Sequence, residues 1–196
     1  MEKKLSEMSL EKLWQIFPIR LTDHQPCWKE WYTDEENRLK NKAPEIERIS
    51  HIGSTAISFI CAKPIVDILV EISNGYKLSD YKKLIEENGY ICMSEAPDRL
   101  SFNKGYTEKG FAERVFHLHL RYTGDNDELY FRDYLKEHPQ VAKAYEALKL
   151  ELWKKYEHDR DAYTDAKTGF IRKCTTEARR IYGDRYSQLP AYRSGD

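Results

Sequence analysis

The chain has 196 residues, enough for one well-buried core or for a sheet-containing domain with a helical extension. Acidic and basic residues number 33 and 32, so the basic excess of a nonspecific DNA binder is missing and nucleic acid is not an expected partner. A hydrophobic fraction of 40% beside 33% charged residues describes a folded, water-soluble protein, and no apolar run approaches the roughly 20 residues that span a bilayer.

The opening MEKKLSEMSLEKL has two early lysines but no continuous apolar stretch, so a secretory signal is not expected. Ser9 suits the N-cap of a short helix, Leu10 to Phe17, ended by Pro18, and Ile19 to Thr22 suits an edge strand. Pro26 fits the first turn of a longer helix through Trp28, Trp31, Tyr32 and Leu39, which Pro44 stops. Glu47 to Ile52 reads as a strand that enters the turn Gly53-Ser54-Thr55. Beyond Lys63-Pro64, Ile65 to Ile72 reads as a central strand. Ser79 or Asp80 can cap a helix that closes at Gly89. Strands follow over Tyr90 to Ser94, Arg99 to Tyr106 and Phe111 to Tyr122, the last two joined by a hairpin near Lys109-Gly110. From Asp127 the pattern turns helical: Asp127 to Glu137, Pro139 to about Glu157, and Thr164 to Tyr182 before Gly183. Cys27, Cys61, Cys92 and Cys174 have no paired spacing, which argues against a zinc site and a disulfide framework and makes the cytosol the expected location. The expectation is an α+β protein of one unit: a sheet-containing core over about 18–125, a helical part over about 126–183 and a loose tail over 184–196.

The most informative stretch is HIGSTAISFICAKPIVDILVEI, from His51 to Ile72. Glycine lets backbone approach a ligand closely, and free N–H groups beside a serine hydroxyl can cradle phosphate. Asp67 stands in an otherwise apolar strand, where a carboxylate is costly unless paired. A magnesium ion shared with phosphates is one such partner; a salt bridge or a place at a sheet edge is another. Downstream, His117, His119 and Arg121 alternate with Leu118, Leu120 and Tyr122, so strand periodicity puts the first three on one face. Those histidines suit a metal or general base and Arg121 a phosphate, or all three suit structural hydrogen bonds.

The Gly-Ser turn followed about a dozen residues later by an aspartate strand resembles the signature of DNA polymerase β-like nucleotidyltransferases. HIGSTA, AKPIVDILVEI, FHLHLRY at 116–122, ELYFRDYL at 128–135, AYEALKLEL at 144–152 and DAYTDAKTGFI at 161–171 resemble the GrpB family more closely. The resemblance implies a mixed sheet with flanking helices and the strand of His117 beside that of Asp67. It also implies a nucleotide as partner and an unidentified acceptor. It marks Asp67, His117 and His119 for catalysis, with Asp67 and His119 on a divalent metal, Mg2+ or Mn2+. For phosphate it marks Gly53, Ser54, Thr55, Lys63, Arg121, Arg132, Lys149, Tyr163 and Lys167. Arg132 has a second reading as a structural ion pair, and the lysines as members of solvated helix faces. GrpB-like domains also occur joined to dephospho-CoA kinase, which opens an alternative: a non-catalytic module that keeps the fold and binds a metabolite or protein.

One departure bears on catalysis. Enzymes of this fold carry two acids at alternating positions of one strand; here Leu69 stands at the second position. The next acid on that face, Glu71, lies about 13 Å along the strand at roughly 3.3 Å per residue, too far to share an ion without a bulge. The fourteen tyrosines suit packing at helical spacing, and the basic side of the last helix suits solvent better than RNA.

Overall fold

A run such as Ile65–Ile72, apolar on both sides except at Asp67 and Glu71, has to be covered on both faces, and it becomes the second strand of the sheet. The computed structural model describes residues 5–43 and 45–187. Its elements in order are α1 (Leu10–Ile16), α2 (Cys27–Lys42), β1 (Arg48–Ile52), β2 (Val66–Ile72), α3 (Leu78–Glu87), β3 (Ile91–Ala96), β4 (Arg99–Thr107), β5 (Gly110–Tyr122), α4 (Asp127–Glu137), α5 (Pro139–Tyr156) and α6 (Arg160–Tyr182). The sheet order is β1-β2-β5-β4-β3. The β2–β5 pair is parallel and the other pairs are antiparallel, so the sheet is mixed.

Period-two alternation divides the sheet into two chemically distinct faces. Val66, Ile68, Val70 and Ile72 join Leu118, Leu120, Leu100 and Phe102 on one face, packed against Trp28 and Leu39 of α2 and Leu78, Tyr81 and Ile85 of α3. The opposite face carries Asp67, Leu69 and Glu71, in register with His117, His119 and Arg121. There Leu69 is fully buried with Ile52 and Leu129 of α4, while α5 and α6 stand over the end near Asp67. Among the described residues no helix is long and apolar enough to cross a membrane.

Several expected boundaries shift for identifiable reasons. Ser9 does cap α1, accepting from the Lys12 N–H at 3.3 Å. Ile19 to Thr22 forms a single bridge, Thr22 to Ala62, because the Ile19 N–H is taken by the Glu157 carbonyl instead of a strand. Helix α3 starts two residues earlier than a Ser79 cap requires and three earlier than an Asp80 cap, with Lys77 as cap and no side-chain capping bond. Helix α6 starts at Arg160 because the Asp159 carboxylate accepts from the Ala162 N–H at 3.0 Å. Pro44, the expected stop of α2, lies outside the described residues; the helix ends at Lys42 with Ala43 as its cap.

The segment after Gly183 is not loose throughout. Tyr186 donates its N–H to the Tyr130 hydroxyl at 3.3 Å and accepts from Asn126 Nδ2 at 3.1 Å, while its own hydroxyl meets Asp133. Residues 188–196 lie outside the described residues.

One irregularity shapes the site. Register shifts between Lys104 and Tyr106, where Gly105 takes a φ of +87° and a Cβ would stand 2.3 Å from the Arg114 carbonyl oxygen. In an unbroken strand Tyr106 would share the face of Lys104, which lies over Phe116 in the main core. Lys104 faces Phe116 while Tyr106 faces Phe111, so β5 carries three more residues than β4 between the two pairs, and this odd shift puts Tyr106 on the face of His117.

Candidate functional site

The Gly53 backbone lies directly against Asp67. With φ +68° and ψ −173°, a conformation open to glycine almost alone, a Cβ at position 53 would stand 2.3 Å from Asp67 Oδ2. Ser54–Ala56 then forms one short 3-10 turn. The Ser54 hydroxyl accepts from Lys149 Nζ at 3.0 Å, and Lys149 also donates to the Cys61 carbonyl. Helix α5 brings in Tyr145 and Lys149, helix α6 brings in Arg160, Tyr163 and Lys167, and the connection before β2 brings in Lys63. Together with Asp67, His117 and His119 they enclose a cleft of about 370 Å³.

Positive charge predominates there. Lys63, Lys149, Lys167 and Arg160 line the cleft with two carboxylates, Asp67 and Asp161. None of the four cations makes an ion pair with a carboxylate among the described residues. Lys63 and Lys167 instead sit over the ring of Tyr163, at 5.3 and 4.1 Å from its centre. Burial, then the nearby charges of Lys167 and Arg160, pushes Lys63 down to about 7. Burial, then Lys167, pushes Lys149 down to about 8. Burial does the same to Lys167, also to about 8, with Asp67 working against it. Lysines in this condition gain most from an anion, which relieves both their desolvation and their mutual repulsion.

Asp67 is held by a chain of side chains. Its Oδ1 lies 3.2 Å from His117 Nδ1, which must carry the proton because an ionised carboxylate only accepts. His117 Nε2 shares a 2.8 Å hydrogen bond with the Tyr106 hydroxyl, which accepts from Arg160 at 2.9 Å. Burial alone would raise the Asp67 carboxyl, but the bond from His117 and, at the acidic pH where the carboxyl titrates, the charges of His117, His119 and Lys63 outweigh it and hold it below the ordinary range. His119 stands 4.0 Å from the same oxygen through Nε2; burial pushes it down to about 4, so it is neutral at pH 7. Its Nδ1 is buried without a hydrogen-bond partner among the described residues.

These positions limit what metal chemistry the residues fit. A two-metal centre needs carboxylates bridging ions about 4 Å apart. Leu69 occupies the second acid position and is fully buried, and Glu71 is turned elsewhere. Glu71 pairs with Arg48 at 3.0 Å and accepts from the Gly124 N–H at 3.1 Å and Asn126 Nδ2 at 2.9 Å. Both ring nitrogens of His117 are engaged. Among the described residues no three His, Cys, Asp or Glu side chains are grouped to hold a metal ion. The residues present therefore do not fit a two-metal site.

Of the residues marked from the sequence, Gly53, Ser54, Thr55, Lys63, Asp67, His117, His119, Lys149, Tyr163 and Lys167 all line this cleft. Arg121 and Arg132 do not. Arg121 is buried at 6% exposure, donating to the Leu100 and Leu120 carbonyls and facing Asp125 at 3.5 Å. It shares the strand face of His117 but lies four residues farther along, over Glu71 rather than Asp67. Arg132 donates to the His51 carbonyl at 3.0 Å and to Asp133 at 2.8 Å, which realises its structural reading. Tyr106, Tyr145 and Arg160 were not singled out from the sequence. A glycine inside a strand pattern was the signal for Tyr106, and Asp159 as an N-cap was the signal for Arg160. Tyr145 gave none beyond its helical spacing.

A mixed five-stranded sheet with a glycine-serine turn laid against a strand aspartate, roofed by a helical half, defines a nucleotidyltransferase-like α+β protein. The GLD-2/RNP-8 complex shares this fold, with a TM-score of 0.53 at 12% identity over 95% of this chain and 65% of that one. The chain belongs to the GrpB family, whose model, described as GrpB protein, matches residues 18–177. The crystal structure of conserved protein GrpB from Enterococcus faecalis superimposes with a TM-score of 0.72 at 31% identity, covering 83% of this chain and 99% of that one. UPF0157 protein YqkA of Bacillus subtilis (strain 168) is 32% identical over 184 residues, which is 90% of this chain; the chain spans about half of YqkA's length, 53%.

Proposed function

We propose that the protein binds a nucleoside triphosphate in this cleft. The observation that carries the reading is the gathering in one cleft with the Gly53–Ser54 turn of four cations, Lys63, Lys149, Lys167 and Arg160, that make no ion pair among the described residues. In this reading the phosphates lie along Ser54, Lys149, Lys63 and Lys167, where charge-assisted hydrogen bonds replace lysine–lysine repulsion. The base and ribose point toward the open side. A divalent cation, Mg2+ or Mn2+, would enter with the nucleotide and screen its phosphates, and Asp67 and His119, 4.0 Å apart, are the side chains that would hold it.

Nucleotidyl transfer to a small or macromolecular acceptor is the reaction such a site would serve. The lysines would then stabilise charge on the departing pyrophosphate. Leu69 favours a second reading, in which the fold and cleft are kept for binding a nucleotide or a coenzyme A precursor without turnover.

Thermal unfolding with nucleoside triphosphates and coenzyme A precursors, with and without Mg2+ or Mn2+, tests both readings. Ligand at a hundred times its Kd stabilises by about 2.7 kcal/mol. The expected result is a triphosphate-dependent rise in Tm, lost in Lys167→Ala. Loss of its metal dependence in Asp67→Asn supports transfer; a rise indifferent to metal and to Asp67 supports the binding module. No rise with any triphosphate overturns the nucleotide reading.

A further inference from the structure

A second concavity, of about 440 Å³, lies at the edge strand β1, between α2 and α4. It backs onto the cleft, and Thr55 lines both. Lys29 from α2 and Arg132 and Lys136 from α4 line it together with His24 and His51, and no carboxylate does. The nearest acids are engaged: Asp133 with Arg132 at 2.8 Å, and Glu36 with Lys40 at 2.7 Å. Lys29 and Lys136 make no ion pair among the described residues. Burial, then Arg132, lowers Lys136 below the ordinary lysine range, and Lys29 adds to the repulsion.

One wall is preorganised. The ring of Tyr32 stacks on His51 at 4.9 Å and 13°, and its hydroxyl donates to the Ile49 carbonyl at 3.0 Å. His51 Nε2 in turn bonds the Thr55 hydroxyl at 2.9 Å. His24 Nδ1 is shut off from solvent without a partner among the described residues. Two lysines without carboxylate partners among the described residues, set against this fixed wall, make a receptor for a compact, doubly charged anion rather than for a neutral molecule.

We infer that this pocket is a second anion site, which takes the phosphate of a small phosphomonoester between Lys29 and Lys136, beside the Arg132 that Asp133 and the His51 carbonyl hold in place. Sharing Thr55 with the cleft, it is the seat for an acidic acceptor or co-ligand. That acceptor role rests on the nucleotide reading; the anion pocket itself does not.

Histidine side-chain resonances separate the two sites, since His24 and His51 report the second pocket and His117 and His119 the cleft. Glycerol phosphate, inorganic phosphate and a single-stranded RNA are each titrated into the full chain. The expected result is saturable movement of the His24 and His51 signals with glycerol phosphate. Affinity falls by at least about tenfold in Lys29→Ala/Lys136→Ala, since each charged hydrogen bond carries roughly 1.5–3 kcal/mol. Lys29→Arg/Lys136→Arg keeps the charges and retains binding, and Lys167→Ala leaves these signals unchanged. Both lysine residues lie at the exposed rim of the pocket and make no ion pair among the described residues, so the variants are expected to fold. Movement with inorganic phosphate alone narrows the ligand to the free ion and overturns the phosphomonoester assignment. Saturation confined to His117 and His119, unchanged affinity in the double alanine variant, or movement with RNA only overturns the pocket. Failure of the triphosphate to shift Tm while His24 and His51 still respond removes the cleft reading and leaves this one standing.

Discussion

A single methyl group at position 53 collides with the carboxylate at the centre of the cleft. The backbone there is already in a region that side chains avoid, and the added Cβ would stand 2.3 Å from Asp67 Oδ2. Gly53→Ala is therefore expected to lose about 1–3 kcal/mol of stability through strain alone. It should also displace Asp67 and abolish the triphosphate shift, and denaturant unfolding with a nucleotide titration on the same sample measures both. An alanine variant that binds like wild type would show that the turn and Asp67 do not share a ligand. Residue types at this scale were legible in the sequence: glycine, serine and aspartate announced themselves through spacing. The roles of individual polar residues were less so. His117 and His119 look equivalent along the strand, yet His117 has both nitrogens engaged and His119 has one buried and free.

Strand β2 shows how one element can assign three alternating positions to three ends. Asp67 meets the cleft, Leu69 fills the core under α4, and Glu71 anchors Arg48, Gly124 and Asn126. Removing Glu71 leaves Arg48 without its counter-charge in a largely buried place, so Glu71→Ala should cost about 3–5 kcal/mol. Because Glu71 is remote from the cleft, the triphosphate shift measured on the folded variant should persist. Leu69→Asp restores the acid that the fold's enzymes carry, but at a fully buried site packed by Ile52 and Leu129. Losing that packing and burying a charge should destabilise by about 3 kcal/mol or more. Urea unfolding that shows near-wild-type stability for Leu69→Asp would mean that the cleft reaches farther along β2 than its walls indicate. Strand and helix identities were readable from period and turn chemistry, down to Asp127–Glu137 and the hairpin at Gly110. The reversal of parity at Gly105 is not legible there, because a register shift between two strands leaves the local pattern of each almost unchanged while exchanging the faces.

The cleft is a seam of the whole molecule: its lysines come from the connection before β2, from α5 and from α6. Their depressed ionisation links function to pH. In the unfolded chain these lysines titrate near 10.4, whereas in the folded protein Lys63 sits at about 7 and Lys149 and Lys167 at about 8. Between those values the unfolded chain binds more protons, so this group's contribution to stability rises with pH from about 7 to 10. A bound polyanion restores the ordinary lysine values, so binding takes up protons and affinity falls as pH rises through about 7 to 9. Calorimetry near pH 8 in two buffers of different ionisation enthalpy should show that uptake, and Lys63→Met should reduce it. Proton release on binding would contradict an anion on these lysines.

The sequence by itself determined the α+β class, the order of elements, the family and most of the cleft's residues, because turn chemistry, hydrophobic period and spacing are local properties. Only the tertiary structure decided which charges meet. It drew Arg121 and Arg132 into structural bonds, brought Tyr106 to His117 and Arg160 to Tyr106, and left four cations around two aspartates. Those outcomes depend on strand register and on how α5 and α6 cross the sheet. Both are set by packing between residues distant in the chain, which no local pattern records.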